Sequence, residues 1–179
     1  MTARPRVGIS RCLLGDEVRY DGTHRRDETV IAWLGPRVEW VAICPEVEIG
    51  MGTPREPIQL VKSADGVRSL DARVRLIGVE SGTDWTARMH AWAAARVQDL
   101  VALGLSGYVF KARSPSCGIG EVVIRDAEDD GRGRGLFAEA VIQALPDLPV
   151  ADEAALADAA VRATFLERVV RHHADRSSR

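Results

Sequence analysis

Cysteine is scarce in this chain: three residues among 179, and no two of them form a C-x-x-C pair. An odd number at wide spacing argues against a disulfide framework and against a structural zinc site of the paired-cysteine type. The chain has no run of eighteen apolar residues, so no spanning helix and no membrane partner are expected. It lacks charge of one dominant sign. A formal net charge of −2 gives no bulk pull toward nucleic acid or membrane. Internal repeats and low-complexity tracts are absent as well. Met1 to Arg6 passes straight into the strand-like Val7-Gly8-Ile9-Ser10 without the apolar segment of a signal peptide, so a cytoplasmic, reducing location is expected. What is present is ordinary: 46% hydrophobic and 28% charged residues, enough to bury one core and keep it soluble. The expectation is one domain over residues 1–179.

The hydrophobic pattern alternates between two periods. Residues 6–10 and 38–43 read as strands, with a short helix over 27–34 between them that stops near Gly35-Pro36. Runs at 57–62 and 67–76 read as an antiparallel excursion. The clearest helix is 84–103, where Trp85, Met89, Trp92, Ala93, Val97, Leu100 and Val101 share one face and Gly104 stops it. A strand at 106–110, another at 121–125, a helix around 135–144 and a strand near 148–150 follow. Residues 152–174 read as a helical tail with Leu156, Ala160, Val161, Phe165 and Val169 on its apolar face. This alternation predicts an α/β fold: a mostly parallel sheet flanked by helices on both faces, a Rossmann-like three-layer sandwich.

Each cysteine lies just past a predicted strand, where ligand sites of open α/β sheets form. Cys12 follows Ser10-Arg11, and Val18-Arg19-Tyr20-Asp21-Gly22 comes soon after. Cys44 opens Cys44-Pro45-Glu46-Val47-Glu48, which runs on to Thr53-Pro54-Arg55. Cys117 closes Lys111-Ala112-Arg113-Ser114-Pro115-Ser116-Cys117-Gly118. Loops rich in glycine and proline bring backbone amides close to an anion and suit a cluster whose sulfides need hydrogen bonds. Spacing alone leaves two readings open, buried structural thiols and a metal site.

Together the three segments resemble the thiouracil desulfurase family, over nearly the whole chain. Residues 46–57, 108–111 and 164–169 look like the N-terminal half of longer, two-domain relatives, although this chain reaches only Arg179. The resemblance implies that Cys12, Cys44 and Cys117 bind a [4Fe–4S] cluster with one open iron site. That iron takes the sulfur of a thiolated pyrimidine, free or within tRNA. Thiouracil or thiouridine then loses sulfide by hydrolysis, with no net redox change. It implies catalytic roles for Glu46 and Ser114, Glu46 being the general base. Ser116, Lys111, Arg19 and Asp21 are expected to contact substrate or developing charge. Arg11 stands where the family often has a small residue.

Other residues carry plainer readings. Gly131-Arg132-Gly133-Arg134-Gly135 reads as a polar turn sooner than as a phosphate grip. Trp40, Trp85 and Trp92 read as packing. His172 and His173 read as surface tail, and His24 is a candidate proton shuttle. Arg55, Arg113, Arg132 and Arg134 are the arginines available for an RNA-binding face. Rival functions are a non-catalytic iron–sulfur sensor or sulfur carrier, which has no need of Glu46, and a metal-free nucleotide-binding module.

Overall fold

A computed structural model describes residues 3–63 and 74–177. Of the expected run 67–76, residues 67–73 lie outside these. The strands are β1 (Arg6–Ser10), β2 (Glu39–Ile43), β3 (Ile58–Lys62), β4 (Val74–Gly78), β5 (Gly107–Phe110), β6 (Val122–Arg125), β7 (Gly131–Gly133) and β8 (Val150–Asp152). The helices are α1 (Glu28–Leu34), α2 (Pro45–Glu48), α3 (Thr86–Leu103), α4 (Leu136–Ala144) and α5 (Ala159–Ser177).

A parallel sheet in the order β2-β1-β5-β8 forms the centre. Strand periodicity sorts its side chains onto two faces. Tyr108 and Phe110 enter a core with Met89, Ala93, Val97 and Leu100 of α3 and Phe137 and Val141 of α4. Val7, Ile9 and Val109 point the other way, toward Val30 and Leu34 of α1 and Phe165 and Val169 of α5. Helices thus cover both faces, as the alternating pattern predicts. Gly8 is required by close approach: a Cβ there would lie 2.3 Å from the Tyr108 ring, which stacks on Phe110 at 3.9 Å.

The excursion is antiparallel, with β3 pairing β4. It also does something the sequence reading leaves out. β3 pairs parallel with β6, and β6 pairs antiparallel with β7, giving a second four-stranded sheet in the order β4-β3-β6-β7. The Gly131–Gly133 segment is therefore an edge strand and not a turn, because small residues let it lie against Ile124.

Local signals explain most element ends. Asp27 caps α1, its Oδ1 accepting from the Val30 amide at 2.9 Å. Gly104, at φ 70°, closes α3. Val101 of the predicted stripe is nevertheless 43% exposed. The tail begins later than expected: β8 and a short turn occupy 150–157, and α5 starts at Ala159. Ala160 and Val161 are exposed, leaving Leu156, Phe165 and Val169 as its buried stripe. No helix among the described residues is long and apolar enough to cross a membrane.

Candidate functional site

Strands β1, β2 and β5 are neighbours, so their C-terminal ends deliver three segments to one sheet edge. A 3-10 turn over Arg11–Leu14 follows β1 and carries Cys12. Cys44 keeps an extended backbone immediately before α2, where Pro45 starts the helix. The loop after β5 carries Cys117 and is knotted on Ser114. The Ser114 Oγ accepts from the amides of Ser116 at 3.2 Å and Cys117 at 3.1 Å. The first amides of α4 close on the same loop: Leu136 N donates to Pro115 O, and Phe137 N and Ala138 N donate to Ser116 O. Gly135 permits this, since a Cβ would lie 2.4 Å from the Ser116 carbonyl carbon.

All three cysteines are buried free thiols, and all three line one cavity of about 530 Å³. Among the described residues, no three His, Cys, Asp or Glu side chains group tightly enough for a single metal ion. The three thiols are instead spread along the wall of one cavity. Three thiols on one wall suit a multi-iron cluster, in which each cysteine would bind a different iron. Burial, and then the charge of Cys44, pushes the Cys12 thiol up to about 11. Burial also raises Cys44, and raises Cys117 well above the ordinary thiol range. Without a cation these groups stay protonated at neutral pH; iron would ionise them. Tyr108, in the same core cluster as Cys117, is fully buried, and its hydroxyl has no hydrogen-bond partner among the described residues. Its ionisation is opposed by burial and then by Cys117. An orphaned donor near a buried thiol is what sulfide or thiolate sulfur would satisfy. The residues present fit an iron–sulfur cluster.

Beside the thiols lies a carboxylate with every contact specified. Arg55 binds Glu46 Oε2 through both Nε, at 3.0 Å, and Nη2; Ser116 Oγ donates to Oε1 at 2.9 Å. The side chains of Arg55 and Glu46 are 5% and 14% exposed. Most other ion pairs among the described residues are far more open, and solvent screens them. This one is different, because removing either partner leaves a buried charge. Lys111 forms a second shielded pair with Glu153, whose Oε2 also accepts from the Ala112 amide at 2.7 Å. Ser10, buried, accepts from the Lys111 amide at 2.9 Å and hydrogen-bonds Cys117.

The cavity wall includes Glu46, Ser114, Lys111 and Arg19 with the cysteines. It does not include Ser116 or Asp21. Ser116, expected to contact substrate, is wholly buried and its hydroxyl donates to Glu46. Asp21 braces a turn, accepting from Thr23 and from Arg19 at 3.0 Å. His24 also lies off the wall, its Nδ1 accepting from the Arg26 amide. Arg11 lines the wall paired with Asp16. The expected basic face does not form as one surface. Arg55, buried on Glu46, and Arg113 both line the cysteine cavity, whereas Arg132 and Arg134 line a different cavity beside α3 and α4. Sequence reasoning missed Arg55 as the partner of Glu46 and missed Glu153 altogether. For Glu153 the available signal was its place at the end of a parallel strand, which the tail reading obscured.

A family model described as 2-thiouracil desulfurase matches residues 7–153. The chain is 32% identical over 112 residues to the uncharacterized protein YbbK of Bacillus subtilis (strain 168), covering 63% of this chain and 72% of that one. Among solved structures, the [4Fe-4S]-dependent thiouracil desulfidase TudS superposes with a TM-score of 0.67 at 28% identity. The superposition covers 90% of this chain and 99% of TudS.

Proposed function

Because the chain belongs to the 2-thiouracil desulfurase family, we propose that it is an iron–sulfur-dependent enzyme that removes sulfide from a thiolated pyrimidine. The observation that carries this reading is the convergence of three buried cysteines, from three adjacent strand ends, on a cavity that also holds Glu46. Cys12, Cys44 and Cys117 hold a [4Fe–4S] cluster. When bound, a cluster with three protein thiolates supplies one Lewis-acidic iron free to take a soft sulfur and polarise its bond to carbon.

The chain's own residues then manage water. Glu46 accepts a proton from the attacking water, with Arg55 and Ser116 fixing the direction of its carboxylate. Ser114 uses its oxygen on two amides and keeps its hydroxyl proton for substrate or water. Lys111 and Arg19 supply positive charge at the wall, each held by its own carboxylate. The balance is hydrolytic: water gives its oxygen to the ring carbon, both protons leave with sulfur as hydrogen sulfide, and no electrons are transferred. A free thiolated pyrimidine is favoured over thiouridine within tRNA, because of the four candidate arginines Arg132 and Arg134 line a different cavity and Arg55 is committed to Glu46. Residues 1–179 act as one domain, in the cytoplasm.

The test is iron and acid-labile sulfide, with the visible spectrum, on protein reconstituted without oxygen, followed by sulfide release from 2-thiouracil. About four irons per chain are expected in a cluster of this type, lost in Cys12→Ala, Cys44→Ala and Cys117→Ala. A folded, iron-free wild type would refute the reading.

A further inference from the structure

Aromatic residues are few in this chain, and those of the core are covered. Among the described residues, the large exposed hydrophobic side chains are Val79, Val101, Leu103, Val161, Val170 and one aromatic, Tyr20. Tyr20 is 41% exposed, and it lines the cavity that holds the three cysteines. An exposed aromatic ring at the wall of a reaction cavity is poorly explained by core packing.

The turn around it holds the ring in place. Arg19 N donates to Thr23 O at 3.1 Å and Gly22 N to Arg19 O at 3.0 Å. Asp21 Oδ1 accepts from the Thr23 amide at 3.1 Å and its hydroxyl at 2.6 Å. Arg19 Nη1 reaches Asp21 Oδ2 at 3.0 Å and Thr23 Oγ1 at 2.9 Å. Thus braced, the Arg19 guanidinium lies over the Tyr20 ring, 5.2 Å from its centroid. The Tyr20 carbonyl accepts from the Arg55 amide at 2.8 Å, which ties the turn to the buried partner of Glu46. One ring face is therefore backed by a fixed cation, and no hydrogen bond among the described residues engages the phenol hydroxyl. This arrangement offers a flat, polarised surface, with little rotamer entropy left to lose on binding.

We propose that Tyr20 is the stacking platform for the ring of a planar heteroaromatic thiocarbonyl, and so a specificity-determining residue of the site. The proposal rests on the function given above. Stacking recognises a π-face and tolerates differences in ring substituents. It therefore separates aromatic thiocarbonyls from aliphatic ones that carry the same sulfur.

The experiment compares reconstituted wild type with Tyr20→Phe and Tyr20→Leu. Equilibrium dialysis gives the Kd for 2-thiouracil, and sulfide release is followed from 2-thiouracil and from thioacetamide, which has no aromatic ring. Tyr20→Leu is expected to weaken Kd and raise KM for 2-thiouracil about tenfold or more, with iron content and kcat retained. Tyr20→Phe is expected to stay within about threefold of wild type, since the ring is kept. For thioacetamide, kcat/KM is expected to be equal in all three proteins. Thiouracil affinity unchanged in Tyr20→Leu, or an equal loss on both substrates, overturns the proposal. Tyr20-dependent binding without sulfide release supports the platform and refutes the function. Sulfide release that ignores Tyr20 does the reverse.

Discussion

Glu46 is the general base of the proposed reaction, and its contacts with Arg55 and Ser116 define what each neighbour contributes to it. Glu46→Gln keeps the shape and removes the proton acceptor. It should bind iron at reconstitution while kcat for sulfide release falls by roughly 10²–10⁴-fold, the usual contribution of general base catalysis, and its urea midpoint should fall as well, because Arg55 is left a buried unpaired cation. The thiols give a second prediction. Burial holds Cys12 at about 11, against 9.0 for an open thiol. Its thiolate is scarce at neutral pH and appears only as pH rises toward that value. Alkylation of the metal-free protein at pH 7–8 should therefore be about 100-fold slower at Cys12 than in the urea-unfolded chain, with the rates converging above pH 11. Mass spectrometry after timed iodoacetamide exposure measures this. Spacing left the cysteines open between buried thiols and a metal site, and it was the family resemblance that singled out Cys12, Cys44, Cys117 and Glu46, so residue types and order were not enough by themselves. They did not separate Ser114 from Ser116. Both are serines of one loop, and only the tertiary position of Glu46 decides which hydroxyl is consumed inside.

Elements place these residues through backbone contacts that no side-chain pattern announces. The Cys117 loop is seated on the first turn of α4, and Gly135 is the point of contact. Gly135→Ala drives a Cβ into the Ser116 carbonyl, and backbone has little room to yield. A loss of about 1–3 kcal/mol is expected in urea unfolding, together with faster iron loss on dilution. Gly120→Ala, where a Cβ meets nothing within 4 Å, is the control and should change neither. Strands and helices were largely readable from their periods. Arg132 and Gly133 were not, because a short glycine-rich edge strand carries no hydrophobic alternation and owes its form to pairing with β6. The start of α5 was misplaced for a related reason. Alanines from 154 onward suit a helix, but Asp152 and Asp158 cap separate turns on either side of 155–157.

At the scale of the molecule, charge bears on the size of the substrate. The arginines proposed for RNA divide between two cavities, Arg55 and Arg113 on the one with the cysteines and Arg132 and Arg134 on another, and Arg55 is spent on Glu46. Counterion release is accordingly not expected to govern turnover of a free thiolated pyrimidine. Its KM should change less than about twofold between 50 and 200 mM salt, whereas a tRNA footprint of several phosphates would lose orders of magnitude over that range. Steady-state sulfide release at the two salt concentrations decides between them. The second sheet was the largest feature invisible in the sequence. Its strands come from 58–62, 74–78, 122–125 and 131–133, and long-range pairing of such short segments leaves no local trace.

The strand order β2-β1-β5 has a mechanical consequence. Cys12 and Cys44 are more than thirty positions apart, and Cys44 and Cys117 more than seventy, yet they follow three laterally adjacent strands. A cluster bound by all three would act as a three-armed cross-link, tethering the central sheet across its middle. Closing loops of that length restricts the unfolded chain far more than the folded one, as a disulfide does, by about 3 kcal/mol or more. The cofactor would then be a brace as well as a reagent, and chelating the iron should lower the urea midpoint of the whole sheet, not just bleach the colour.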